Sequence, residues 1–517
     1  MKLRVEQKDN VKNSLGRVFF VVLAIAVEVW LVVYTVTALS YMAGWVELLL
    51  RVISVLTVLA IYGQHKNAAV KMPWIMLILA MPIFGLVLYL LLGSSLPLLK
   101  MKHHFAVFEK DFPDFMPQDP EAMASLEKTS RKQANESRYL LERCSFPVYR
   151  NTDVVYYASA ADGFEAQKEA LKKAQNFIFM EYFAIEDAQS FASMKEILKE
   201  RASHGVRVRV FYDDIGSMQF LNRSFIREME AAGIQCRDFN PVMPAVNVFM
   251  NNRDHRKMTI IDGIVGFTGG YNLADEYFNI THPFGFWKDT GVRLTGDAVH
   301  SMTVIFLEMW NASRHEGWSP RTANYLTPHD YKAAETGWIQ PYADTPLDLE
   351  HTGENVYMNL IDSAERYLWI STPYLIPSDE TVRTLALAAG RGVDVRIITP
   401  GIPDKKMIYS VTRSYYASLV REGVRIFEYT PGFNHAKMML ADDESATVGT
   451  FNMDFRSLYL HFEDGVLFHR CSILPEIRRD FEQMFADSTE VTDKYRGDRP
   501  YTLRIWQCIL RLFAPLF

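Results

Sequence analysis

The feature that most constrains this chain is a short pattern that it carries twice. His255-Arg256-Lys257 leads to Asp262, and His435-Ala436-Lys437 leads to Asp442, so both stretches fit H-x-K-x-x-x-x-D. Each is followed by a small-residue turn and by an asparagine at the same offset from its histidine, Asn272 in the first copy and Asn452 in the second. One such pattern is weak, because short strings of common residues recur by chance; two with matched trailing residues are not. The duplication reaches beyond the motifs. Phe177-Ile178-Phe179-Met180-Glu181-Tyr182 parallels Tyr367-Leu368-Trp369-Ile370-Ser371-Thr372, and Gly205-Val206-Arg207-Val208-Arg209-Val210 parallels Gly392-Val393-Asp394-Val395-Arg396-Ile397. An internal repeat of this length predicts two similar lobes, each with its own sheet.

The residue types point to phosphoryl transfer. A neutral imidazole is nucleophilic near neutral pH and its cation is a good proton donor. Two lobes that bring both imidazoles to one phosphodiester allow one histidine to attack phosphorus while the other protonates the departing alkoxide and later deprotonates the incoming hydroxyl. Lys257 and Lys437 lie two residues beyond their histidines, on the same side of a strand, and place ammonium groups against the non-bridging oxygens. Asn272 and Asn452 add neutral hydrogen bonds there. A nucleophilic imidazole also needs an acceptor on its second nitrogen, and Asp289, downstream of His255, and Glu463, downstream of His435, are the candidates. Asp262 and Asp442 belong to the motif and to the catalytic candidates. Each also ends an apolar run, where an acid commonly opens a turn, and that structural role is the favoured one. No metal or other cofactor is expected: no His and carboxylate cluster has metal-site spacing, and Cys144, Cys236, Cys471 and Cys508 form no C-x-x-C. No nucleotide-binding Walker A pattern is present either.

These residues resemble the phospholipase D superfamily, whose doubled motif they reproduce. Within it the likeness is to the bacterial cardiolipin synthases, over nearly the whole chain from about residue 45, through Pro73-Trp74, Pro82-Ile83-Phe84-Gly85, Asn252-Arg253-Asp254-His255-Arg256-Lys257, Gly269-Gly270-Tyr271-Asn272, Gly432-Phe433-Asn434-His435-Ala436-Lys437 and Asn452-Met453-Asp454-Phe455-Arg456-Ser457. The resemblance implies a two-lobed α/β fold with the site between the lobes and a phospho-histidine intermediate on the first-copy histidine, His255, with His435 as general acid. It also implies the joining of two phosphatidylglycerols into cardiolipin with release of glycerol. Thr450 stands where the superfamily has Ser, and keeps a hydroxyl that could bind the phosphoryl oxygens. His461 stands where Asn is frequent, and Gly270 occupies the place of Thr450 in the first copy.

Elsewhere the sequence bounds the setting. At 517 residues and 49% hydrophobic content the chain can hold several domains, and 55 basic against 61 acidic residues weigh against a nucleic-acid partner. Three apolar runs, Val18 to Leu39 (broken by Glu28), Trp45 to Tyr62 (with Glu47 and Arg51) and Pro73 to Leu92, have spanning length. They predict a membrane region over 1–98, a multi-pass place in a bacterial cell membrane, and phosphatidylglycerol and membrane lipid as partners. Basic residues before the first run and at Lys66 and Lys71 put the N-terminus in the cytoplasm, while Lys100 and Lys102 pull the other way and leave the side of the lobes open. A charged linker is expected over 99–140, lobe 1 over 141–330 and lobe 2 over 331–490. Over 491–517, Leu503, Ile505, Trp506, Ile509, Leu510, Leu512 and Phe513 around Arg504 and Arg511 predict an amphipathic helix, lying on lipid or docked on the protein's own core. Alternating helix and strand patterns predict a mostly parallel, helix-covered sheet in each lobe. The expected class is therefore α/β: two similar phospholipase D-type lobes, each a mixed sheet flanked by helices, behind N-terminal transmembrane helices. A hydrolase and a catalytically silent membrane scaffold are the competing readings. The intact His, Lys and Asn in both halves weigh against the scaffold.

Overall fold

The computed structural model describes residues 44–64, 67–93, 99–241, 252–313, 320–326, 328–497, 501–512 and 514, together with Ala26, Trp30 and Tyr34. The sequence repeat is a structural repeat. The first lobe contributes β1 (Thr152–Tyr157), β2 (Phe177–Tyr182), β3 (Arg207–Asp213), β4 (Gln235–Phe239), β5 (Arg253–Asp254), β6 (Lys257–Ile261), β7 (Val265–Gly269), β8 (Phe286–Lys288) and β9 (Gly291–Gly296). The second contributes β10 (Trp338–Asp344), β11 (Tyr367–Ser371), β12 (Asp394–Pro400), β13 (Arg425–Tyr429), β14 (Gly432–Asn434), β15 (Met438–Ala441), β16 (Ser445–Gly449), β17 (His461–His469) and β18 (Ser488–Glu490).

The first sheet runs β1-β9-β7-β6-β2-β3-β4 and the second β10-β17-β16-β15-β11-β12-β13-β18. Both are mixed. Parallel pairing on these paths is confined to β2-β3-β4 and β11-β12-β13. There the crossover helices Gln189–Ser203, Arg223–Ala231, Asp379–Gly390 and Lys406–Arg421 supply the length that parallel neighbours need. The rest is antiparallel, so the expected parallel character holds for one half of each sheet. The motif itself explains this. β6 and β7 are joined through Asp262 and Gly263, both at positive φ (54° and 69°), and a tight turn can only return the chain antiparallel.

The helix Val299–Ala312, nearly all of it buried, packs against β6, β7 and β9 of the first lobe and β10 of the second. Phe306 stacks on Phe179 at 4.5 Å and on Trp310 at 5.8 Å, which makes this helix the shared core element. The stretch expected as a charged linker contains the helices Leu99–Glu109, Pro120–Thr129 and Arg131–Cys144. The last begins at Ser130, whose hydroxyl accepts from Gln133 N, and it lies against lobe 2, where Gln133 Nε2 donates to Glu444 O at 2.9 Å.

The transmembrane expectation is corrected. Among the described residues no helix is long and apolar enough to cross a membrane. The run Pro73 to Leu92 is not one helix: Ala68–Ala80 stops at Met81, Pro82 starts a new helix that ends at Leu88, and a π-helical turn follows over Tyr89–Gly93. Gly85 lets this second piece fold back on the first, since a Cβ there would lie 2.7 Å from Ile78 Cα. The second run forms the helix Gly44–Tyr62, with Glu47 and Arg51 in its first half. The first run, Val18 to Leu39, lies outside the described residues apart from Ala26, Trp30 and Tyr34. The C-terminal helix Tyr501–Leu512 docks on Lys406–Arg421, with Leu510 buried and the Arg511 guanidinium donating to Ser418 Oγ and lying 4.3 Å from the Tyr415 ring centroid. Ile505, Trp506 and Ile509 stay exposed.

Candidate active site

Among the described residues the strand pairings β5–β17 and β8–β14 cross between the lobes, and they build the site. β5, just before His255, pairs in parallel with the start of β17 in lobe 2, and His255 N donates to Phe462 O at 2.8 Å. In mirror fashion β14, just before His435, pairs in parallel with β8 of lobe 1, and His435 N donates to Lys288 O at 2.7 Å. The residue after each acceptor is a carboxylate. Glu463 therefore meets His255 Nδ1 at 2.9 Å, and Asp289 meets His435 Nδ1 at 2.6 Å. Both carboxylates chosen from the sequence sit on histidines, but each serves the histidine of the other half rather than the one it follows in the chain.

A carboxylate on Nδ1 fixes the tautomer and leaves Nε2 for chemistry. Both carboxylates are fully buried. Glu463 also accepts from Ser457 Oγ at 2.5 Å, while the neighbouring Asp464 accepts from Lys257 N at 3.1 Å and from the Thr268 hydroxyl. Gly270 is required beside Asp289, because a Cβ there would collide with the carboxylate. Its counterpart Thr450 has both hydroxyl roles taken by Asp464, donating to its carbonyl at 3.0 Å and accepting from its N–H at 2.9 Å. The Thr450 hydroxyl thus holds the strand that carries Glu463.

Burial governs the electrostatics. His255 and His435 are 7% and 6% exposed, Lys257 and Lys437 each 1%. Desolvation, reinforced by Lys257, His461, Lys437 and His435, holds His255 well below its ordinary value. Desolvation and Lys437 bring His435 down to about 4, against the opposing pull of Asp289. Desolvation lowers Lys257 to about 8 and Lys437 to about 7, and it raises the Glu463 carboxyl well above the usual range. Lys257 Nζ donates to His255 O, and Lys437 Nζ to His435 O. Lys437 Nζ also lies 2.8 Å from His435 Nδ1, whose proton goes to Asp289, so the ammonium there depresses the imidazole's proton affinity rather than bonding to it.

The motif aspartates are elsewhere. Asp262 accepts from the backbone N–H groups of Gln175, Asn176 and Phe177 at 2.7–2.8 Å, and Asp442 from those of Glu365, Arg366 and Tyr367 at 2.7–2.9 Å. Each lies at the far end of its strand from the lysine, roughly 13–17 Å along a five-residue stretch. Each closes the turn that starts the central strand β2 or β11. Asn272 Oδ1 accepts from Ala184 N at 3.1 Å and its Nδ2 donates to Tyr277 Oη at 2.8 Å, whereas Asn452 Oδ1 is buried without a partner among the described residues.

Sequence reasoning passed over Ser457 and Asp464, which brace Glu463 and Lys257, and the rings around each histidine. Phe183 and His461 flank His255 at 5.0 and 5.5 Å, and Tyr277, Trp287 and Phe433 surround His435 at 5.3, 5.3 and 5.7 Å. Adjacency to Asp289 and to His435 is the signal that could have found Trp287 and Phe433. Among the described residues His255, His461 and Glu463 have ligand-type atoms within 4.8 Å of one another. Lys257, Lys437 and Arg456 crowd this group with positive charge, which suits a phosphodiester anion better than a divalent cation.

The chain matches the family described as cardiolipin synthase, phospholipase D-like domain, over residues 168–310 and 357–485, one match in each lobe. Residues 52–94 match the family described as phospholipase D-nuclease N-terminal. An uncharacterized protein of Streptococcus mutans is 37% identical over 89% of this chain and 99% of its own length. Proteins named cardiolipin synthase from Halalkalibacterium halodurans and Alkalihalophilus pseudofirmus are 31% and 30% identical, each over 92% of this chain and 95% of its own length. Among solved structures, phosphatidylserine synthase of Haemophilus influenzae superposes with a TM-score of 0.55 over 75% of this chain and 97% of its own, at 15% identity, a likeness of fold.

Proposed function

We infer the working of this site from the premise that the chain belongs to the phospholipase D-like cardiolipin synthase family. It is a membrane-associated phosphatidyltransferase of bacterial type that joins two phosphatidylglycerols into cardiolipin and releases glycerol. In the proposed first step His255 Nε2 attacks phosphorus, the bond to the departing glycerol oxygen breaks, and His435 gives that oxygen a proton. In the second step His435 takes the proton from a hydroxyl of the second phosphatidylglycerol. That oxygen then attacks phosphorus and expels His255.

The observation that carries this reading is the exchange of carboxylates, Glu463 on His255 and Asp289 on His435, which ties both imidazoles into one site. The division of labour has a physical support as well. Desolvation, Lys257, His461 and Lys437 hold His255 well below its ordinary value, which keeps it a neutral nucleophile, and at His435 the pull of Asp289 opposes the lowering by burial and Lys437. A phosphodiester enters as an anion and raises the proton affinity of His435 and both lysines as it docks, so the acid is charged when it is needed. Lys257 and Lys437 then meet the charge that builds on the non-bridging oxygens, without a metal. Asn452 Oδ1, an acceptor without a partner, suits a substrate hydroxyl.

The test is purified protein with phosphatidylglycerol, quenched and digested, with cardiolipin, phosphatidic acid and glycerol measured beside the adduct. Cardiolipin and glycerol in equal amounts, with phosphatidyl mass on the His255 peptide, are expected. Adduct on His435 alone would reverse the assignment, and phosphatidic acid as the main product would overturn transfer.

A further inference from the structure

The wall of the His435 half holds a polar group that the mechanism above leaves unused. Trp287 is 6% exposed, and its indole N–H is buried with no hydrogen-bond partner among the described residues. Leaving such a donor unmade is costly. The ring is also well fixed. Asn279 clamps the Trp287 backbone at both ends, accepting from its N–H at 2.8 Å and donating to its carbonyl at 3.0 Å. Tyr277 and Phe433 pack on the indole at 4.5 and 4.8 Å. The next residue, Lys288, is tied to Asp480 at 2.7 Å, and the one after is Asp289. The ring is thus held in place, and an acceptor brought by a ligand would satisfy its N–H.

We propose that the Trp287 indole N–H is the headgroup-recognition element of the site and donates to a free hydroxyl oxygen of the glycerol that leaves from phosphatidylglycerol. This rests on the reading in which His435 protonates that leaving group. The surroundings choose a hydroxyl over a phosphoryl oxygen. The indole sits 5.3 Å from His435 and packs on the rings of Tyr277 and Phe433, while the ammonium groups of Lys257 and Lys437 are held at the backbone carbonyls of the two histidines. An indole N–H can only donate, so it accepts a neutral alcohol and rejects an ammonium in the same place. A site built to bond a hydroxyl discriminates against an analogue without it, because its own buried group is then left unpaired.

The experiment crosses one protein change with one substrate change. Phosphatidylglycerol and phosphatidylpropanol, whose headgroup lacks the free hydroxyls, are compared as phosphatidyl donors for the parent and for Trp287→Phe, which keeps an aromatic ring and deletes the N–H. The parent is expected to favour phosphatidylglycerol in kcat/KM by about tenfold or more, and Trp287→Phe to lose about tenfold on phosphatidylglycerol while keeping its rate on the propanol analogue, so that the preference collapses. An equal loss on both donors, or an unchanged preference, overturns the proposal. So does a parent that turns over both donors alike, whatever the fate of the variant. Absence of a His255 adduct in the parent would instead strike at the two-histidine reading, which the preference ratio does not measure.

Discussion

The halves of the site around His255 and His435 share a frame and differ in their walls. In each, a two-residue or three-residue strand crosses to the other lobe, a histidine N–H is taken up by a carbonyl there, and the following carboxylate holds Nδ1. Around His255 stand Phe183 and His461, with Ser457 bracing Glu463; around His435 stand Tyr277, Trp287 and Phe433, and Asp289 rests beside Gly270. The frame sets what both histidines have in common, a buried and oriented neutral imidazole. The walls set what distinguishes them. A duplicated motif therefore encodes a shared geometry, and what differs between the halves lies in residues outside it.

The comparison breaks most decisively at the histidines. His255→Asn and His435→Asn are each expected to lower cardiolipin formation by more than about 1000-fold, ~4 kcal/mol in barrier. With an activated lipid whose leaving group needs no proton, His435→Asn should accumulate adduct on His255 and His255→Asn should form none. Mass spectrometry of quenched peptides reads this directly, and adduct in both variants would make the halves interchangeable. A smaller effect is expected at the exchanged carboxylates, about 100- to 1000-fold for Asp289→Asn or Glu463→Gln. Because Asp289 serves His435, its loss should be largely repaired by the activated leaving group, whereas the loss of Glu463 should not. Equal repair in both variants would show that the carboxylates do not sort by histidine as the structure pairs them.

Smaller again is the effect of pH. Lys257 and Lys437 are lowered to about 8 and about 7, so their charged forms are present below those values and are lost as pH rises through them. The kcat/KM profile should fall between pH 7 and 8, and the kcat profile at higher pH, because bound phosphodiester favours the ammonium forms. Lys437→Arg, which stays charged, should carry the lower limb upward; an unmoved limb would assign it to another group. The smallest effect on rate is expected at the motif aspartates. Asp262→Asn or Asp442→Asn keeps a residue that tolerates positive φ and removes the charge from three backbone N–H bonds. Stability should drop by about 1–3 kcal/mol in denaturant titration, with kcat of the folded protein within about twofold. A large loss of kcat without a loss of stability would return the aspartates to the chemistry.

Much of this was legible in the sequence because it is local. The two lysines, the strands of the repeat and the turn role of Asp262 and Asp442 follow from spacing along a strand and from the chemistry of an acid after an apolar run. Asp289 and Glu463 could be named as histidine partners, but their assignment could not be read, since an offset within one half says nothing of strands exchanged between halves. Thr450 looked free for a phosphate because the sequence does not reveal that the backbone of Asp464 uses its hydroxyl twice. The run Pro73 to Leu92 looked continuous because apolar content does not register the break at Met81 and Pro82, or the fold-back that Gly85 permits.

The exchanged strands also bear on how this chain is made. Glu463 and His255 are 208 residues apart, and Asp289 and His435 are 146 apart. At about 5–20 residues per second, His255 leaves the ribosome roughly 10–40 s before Glu463. Until then β5 has no partner and His255 no carboxylate, while Asp289 waits with an unpaired charge. The His255 half of the site therefore stays incomplete until residues 461–463 have been made. Slowed synthesis between residues 300 and 460 would lengthen that wait.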